Sequence, residues 1–122
     1  MRLPDLVLAI ANLKGGTGKT TSAVFIAHVL HERGERVLMV DADQQGSALR
    51  WSELAGGWAF PAVGLPTKTL HQQLAGVADR DRYDVVVIDT PPLDEQRGAV
   101  MSALRVATDV LVPLAPTALE FE

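Results

Sequence analysis

An α/β fold, a mostly parallel twisted sheet flanked by helices, is what this sequence predicts, and three observations carry it. Short β-branched runs alternate with stretches of helical spacing from one end of the chain to the other. The run Val85-Val86-Val87-Ile88 is apolar without interruption, as expected of a strand covered on both faces. A glycine-rich turn leads from the first strand straight into the first helix.

The strands read as Leu6 to Asn12, Val37 to Asp41, Tyr83 to Asp89 and Asp109 to Leu114, with Ala59 to Gly64 a weaker fifth. Between the first two, Ala23, Ile26, Ala27 and Leu30 recur at i, i+3, i+4 and i+7, and Arg33 with Gly34 supplies a cationic last turn and a stop. Ala48, Trp51 and Ala55 line a second helix ended by Gly56 and Gly57. Leu70, Leu74, Val77 and Ala78 mark a third, and Val100, Met101, Leu104 and Ala107 a fourth. Pro61, Gly64 and Pro66 punctuate a middle loop, and the charged stretch Asp79 to Asp84 reads as a solvated turn. One domain is expected over 1–122, with no repeat and no linker.

Composition narrows the function. With 48% apolar and 21% charged residues in 122, the chain can build a core, which excludes disorder and fibre. Lys14, Arg33, Arg36 and Arg50 break every apolar run before the roughly 18 residues that a membrane span needs. Arg2 and the apolar run to Leu13 imitate a secretion signal only faintly, because Asp5 precedes the run and no cleavage site follows. The absence of cysteine removes disulfides, thiolate nucleophiles and cysteine-ligated clusters, and it fits a cytoplasmic setting. A net charge of -4 gives no electrostatic footprint for nucleic acid, so any DNA contact is expected from another region.

The chemistry concentrates in Lys14-Gly15-Gly16-Thr17-Gly18-Lys19-Thr20-Thr21. Glycines let a backbone wrap closely and turn its amides inward, and the positive end of the following helix adds to a cradle for anionic oxygens. In that arrangement Lys19 reaches the β and γ phosphates of a nucleotide and Thr20 offers its hydroxyl to Mg2+. The competing reading is a glycine-rich turn with no ligand.

Lys14, standing directly before the first two glycines, is not required by an ordinary phosphate loop. With it the sequence resembles the ParA/MinD family of deviant Walker ATPases, closest to the ParA-like partition proteins of plasmids and chromosomes. The resemblance implies that two ATP-bound subunits face each other and that Lys14 reaches the partner's phosphates. A solvated surface lysine is the plain alternative.

Two acidic segments match the same family and fall where an open α/β sheet binds ligands, at the carboxyl ends of strands. Asp41-Ala42-Asp43-Gln44-Gln45-Gly46 resembles its Asp-x-Asp-Pro-Gln-Gly segment. The likeness implies that Asp43 orients the attacking water and that Asp41 sits near the magnesium shell. Phosphoryl transfer asks little more of a protein than such placement and charge compensation. Gln44 replaces the usual proline, which leaves the loop less rigid, and a helix cap for the segment starting near Ser47 is the alternative role of Asp43. Val86-Val87-Ile88-Asp89-Thr90-Pro91-Pro92 matches the Walker B region, so Asp89 would hold Mg2+ through water. Pro91 and Pro92 stiffen the exit, which makes Leu93 to Gly98 the moving part. The other reading of Asp89 is a strand-terminal residue entering a turn.

The resemblance extends through Ala107 to Pro113, but family members continue with further strands and helices, so the chain reads as a fragment or a reduced protein. It implies an ATP/ADP and Mg2+ cofactor set, an ATP-dependent homodimer, a centromere-binding ParB-like partner, non-specific DNA bound through regions missing here, a cytoplasmic or nucleoid-associated location, and no membrane. Positioning proteins like MinD reach membranes through a C-terminal amphipathic helix that is not read here. Nitrogenase iron proteins need cysteines, and the related bacterial tyrosine kinases a tyrosine cluster, whereas Tyr83 stands alone. The rival classes are a nucleotide-gated module without turnover and a metabolic P-loop kinase or ligase. His28 and His31 read as a polar helix face, and Trp51 and Trp58 as packing residues.

Overall fold

The apolar run at 85–88 is the middle of the sheet. The computed structural model describes residues 2–11 and 19–113. Over them five strands, β1 (Leu6–Ile10), β2 (Val37–Asp41), β3 (Ala62–Gly64), β4 (Val85–Asp89) and β5 (Asp109–Leu111), pair in the order β3-β2-β4-β1-β5. Every pairing is parallel. Between them run α1 (Lys19–Glu32), α2 (Ser47–Leu54), α3 (Leu70–Gln73), extended by a 3-10 turn over Leu74–Gly76, and α4 (Arg97–Val106).

Alternation along the central strands separates two cores. Val85 and Val87 of β4, with Val37 and Met39 of β2, pack beneath Ala23, Val24 and Ala27 of α1 and Ala48 of α2. Val86 and Ile88, with Leu38 and Val40, face the other way, toward Leu70, Leu74 and Ala103. Successive strand residues point to opposite faces, so a strand with helices on both sides must be apolar throughout. All five residues of β2 and of β4 are buried.

Several elements are shorter than expected, for local reasons. The fourth strand starts at Val85 because Asp84 is occupied by Arg36, whose backbone N–H (2.8 Å), Nε (3.2 Å) and Nη2 (2.9 Å) all donate to its carboxylate. The third begins only after Pro61, which has no N–H to give a ladder. Asn12 and Leu114, expected at strand ends, lie outside the described residues. α1 ends as the sequence implied: Gly34 takes φ 91°, open to glycine at little cost, and donates to the His31 carbonyl at 3.0 Å. His28 and His31 are not a plain polar face. The His28 ring meets Trp58 and Phe60 edge-on at 5.5 and 4.8 Å, so the histidines help cover an aromatic cluster on the α1–α2 side of the sheet.

Two outcomes follow. Leu38→Ala removes a fully buried side chain from the core under α3 and α4, and urea unfolding should show a loss of about 2–5 kcal/mol. The Arg36 guanidinium and N–H hold Asp84 below the usual carboxylate range. A carboxyl depressed by folding stabilises the fold above its unfolded pKa and loses that contribution as pH falls through the folded value. Asp84→Asn should therefore lower the unfolding midpoint at pH 7, and the gap from the unaltered chain should close below about pH 4, the unfolded carboxyl range.

Candidate functional site

Parallel pairing fixes where the polar residues gather. β1, β2 and β4 are in register, with Ile10 opposite Asp89 and Asp89 opposite Asp41. The two carboxylates therefore emerge from adjacent strands at one edge of the sheet, the edge at which α1 begins. Both are buried, as is Lys19.

Lys19 and Thr20, the first two residues of α1, converge on Asp89. Lys19 Nζ donates to Oδ1 at 2.7 Å, and the Thr20 hydroxyl donates to Oδ2 at 2.8 Å. One carboxylate is held from the helix by a cation on one oxygen and a hydroxyl on the other. Burial pushes the Asp89 carboxyl up, the Lys19 charge and the bonds from Lys19 and Thr20 pull it down, and Asp43 adds a smaller upward push.

Asp41 has a structural occupation that its sequence did not announce. Its Oδ1 accepts the Asp43 N–H at 3.0 Å and its Oδ2 accepts the Leu49 N–H at 3.1 Å. The second bond caps α2 from a distance, because Gly46 precedes that helix at φ 66° with no side-chain cap of its own. Burial pushes the Asp41 carboxyl up while the Leu49 and Asp43 amides pull it down. The capping role considered for Asp43 thus falls to Asp41. Asp43 Oδ1 instead accepts the Gln45 N–H at 2.9 Å, closing a local turn.

Gln96 is the residue that motif matching passed over. It lies within 93–98, the segment expected to move, and its side-chain amide donates to Asp43 Oδ1 at 2.9 Å while its Oε1 accepts the Gln44 N–H at 3.1 Å. The available signal was Gln44 itself, whose N–H a proline would lack.

Of the expected site residues, Lys19, Thr20, Asp41, Asp43 and Asp89 are brought to this edge, and Thr21 follows them as an exposed residue of α1. Lys14, Gly15, Gly16, Thr17 and Gly18 lie outside the described residues. The donor set suits magnesium, which binds through few protein oxygens: a threonine hydroxyl and a carboxylate already meet around one point. No group of three or more His, Cys, Asp or Glu side chains suited to a metal occurs among the described residues.

A parallel sheet whose first helix opens on a Lys-Thr pair bonded to the carboxylate that ends a neighbouring strand defines a P-loop nucleotide-binding protein. An AAA domain model matches residues 6–56. A maintenance of carboxysome distribution protein A from Gloeobacter kilaueensis is 40% identical over 114 residues, covering 93% of this chain and 51% of its own length. The chromosome-partitioning ATPase Soj of Thermus thermophilus is 33% identical, with 88% of this chain and 53% of its own covered. Among solved structures, cobyrinic acid a,c-diamide synthase from Mycobacterium smegmatis, with bound ATP analog and magnesium, superimposes with a TM-score of 0.74 at 30% identity, over 89% of this chain and 59% of that one. The chain spans about half the length of the curated relatives it matches. In sequence and fold the chain is similar to the ParA/MinD family of P-loop ATPases.

The two amides held by Asp41 give a direct test of its role. Asp41→Ala leaves both unpartnered and should cost about 1–3 kcal/mol in chemical denaturation, since both amides are half-buried and an unpaired buried amide costs about 1–3 kcal/mol. Asp41→Asn keeps one acceptor oxygen and should lose less.

Proposed function

We propose that this chain is the nucleotide-binding part of a ParA-like Mg-ATPase, whose ATP-driven dimerisation and hydrolysis position a DNA cargo through a ParB-like partner. The observation that carries the reading is the convergence of Lys19 and Thr20 on Asp89 at the start of α1. In this reading the glycine-rich residues 15–18 cradle the phosphates of ATP or ADP, and Lys19 turns from Asp89 to compensate the β and γ oxygens. Thr20 and Asp89 would hold magnesium, which would supply charge neutralisation on the phosphates when bound. Asp41 organises the loop beside that set. Asp43, its N–H bonded to Asp41 and its carboxylate fixed by the Gln45 N–H, orients water in line with the γ phosphate. Lys14 answers the phosphates of a second copy and so makes nucleotide binding a dimerisation signal.

DNA binding is assigned to protein beyond this segment, because a net charge of -4 opposes autonomous phosphate contacts. No helix among the described residues is long and apolar enough to cross a membrane. A second cargo reading rests on the 40%-identical relative named for carboxysome distribution. In that reading the cargo is a carboxysome in place of DNA.

Titration calorimetry, phosphate release and molecular mass in each nucleotide state test the proposal together. The chain should bind Mg-ATP and Mg-ADP, and Lys19→Ala should abolish binding. Lys14→Ala should keep binding and lose the ATP-dependent dimer. Binding without phosphate release would favour a nucleotide-gated module over an ATPase, and absence of binding would overturn the reading.

A further inference from the structure

Gln96 stands directly before α4, where Ser, Thr, Asp or Asn would ordinarily cap the helix, yet its side chain makes no cap. It reaches instead to the loop after β2. The amide nitrogen donates to Asp43 Oδ1 at 2.9 Å, and the amide oxygen accepts the Gln44 N–H at 3.1 Å. A planar carboxamide thus contacts a carboxylate and the backbone donor one residue further along. The second contact exists because position 44 is not proline, which has no N–H. Asp43 Oδ1 also accepts the Gln45 N–H at 2.9 Å, so the carboxylate is held both within its own loop and from the loop after β4.

We propose that Gln96 is a positioning residue: it latches the loop after β4 to the loop after β2 and sets the orientation of the Asp43 carboxylate. The inference rests on the reading of Asp43 as the group that orients water. Glutamine suits the task because one uncharged amide supplies the donor that a carboxylate needs and the acceptor that a backbone N–H needs. The latch also explains how a loop without the usual proline keeps its shape. Through it, the segment that follows β4 governs Asp43 without touching nucleotide. Gln96 lines an open cleft with Gln44, Lys68 and Gly98, so its replacement leaves both cores intact.

The test compares Gln96→Leu, Gln96→Glu, Gln44→Pro and Asp43→Ala in Mg-ATP turnover and nucleotide affinity, with amide exchange at Gln44 followed by NMR. Gln96→Leu should lower kcat about tenfold with nucleotide affinity unchanged, as expected when a reacting group is displaced. It should also speed exchange of the Gln44 N–H about tenfold, since that residue is otherwise exposed. Gln96→Glu keeps the acceptor but sets a second carboxylate against Asp43, and kcat should fall at least as far. Gln44→Pro removes only the backbone half of the latch and should cost less than Gln96→Leu. Unchanged Gln44 exchange in Gln96→Leu would overturn the latch. Faster exchange with unaltered kcat, while Asp43→Ala abolishes turnover, would overturn the positioning role alone. Full turnover in Asp43→Ala would instead sink the reading of Asp43, and no turnover in the unaltered protein would sink both.

Discussion

The in-register parallel pairing of β4 between β1 and β2 is the constraint on which everything else depends. Parallel strands carry their carboxyl ends to the same edge, so residues far apart in sequence meet without a long loop being ordered to bring them together. Asp89 and Asp41 arrive side by side through this pairing, and α1 starts at the same edge because β1 ends there. The helices that cover both faces hold the register. A slip of one residue would turn Val86 and Ile88 into the wrong core and carry Asp89 away from Lys19.

The same edge concentrates charge in a dry setting. Lys19, Asp41 and Asp89 are all buried, and isolated buried ions are costly. Each is met by a specific partner: Lys19 and Thr20 on Asp89, and two backbone amides on Asp41. Lys19 is thus held and desolvated, with its charge balanced by the Asp89 carboxylate.

Much of this was legible in the sequence, and the boundary of legibility is physical. Strand identities came from uninterrupted apolar runs, because two covered faces leave no place for a polar residue in β4. The meeting of the Lys-Thr pair with Asp89 was legible because a strand end and a helix start hold fixed relative positions in a parallel sheet. The capping duty of Asp41 was not legible: nothing in the spacing shows that a carboxylate will cap a helix eight residues on, since Gly46 hides the missing cap. The Gln96 contacts span more than fifty residues and depend on how two loops approach, which periodicity does not encode. The histidines looked polar because helical spacing alone cannot reveal Trp58 and Phe60, which come from a distant loop.

The aromatic cluster bears on how such a protein can be watched. Both tryptophans of the chain belong to it, their rings in edge contact at 6.2 Å, with Trp51 on α2 and Trp58 just past its end. They line a cleft with Thr21, next to the pair that holds Asp89. Intrinsic ultraviolet emission is therefore a label-free optical gauge of one place, the seam between α1 and α2, and other parts of the molecule contribute no indole signal to blur it.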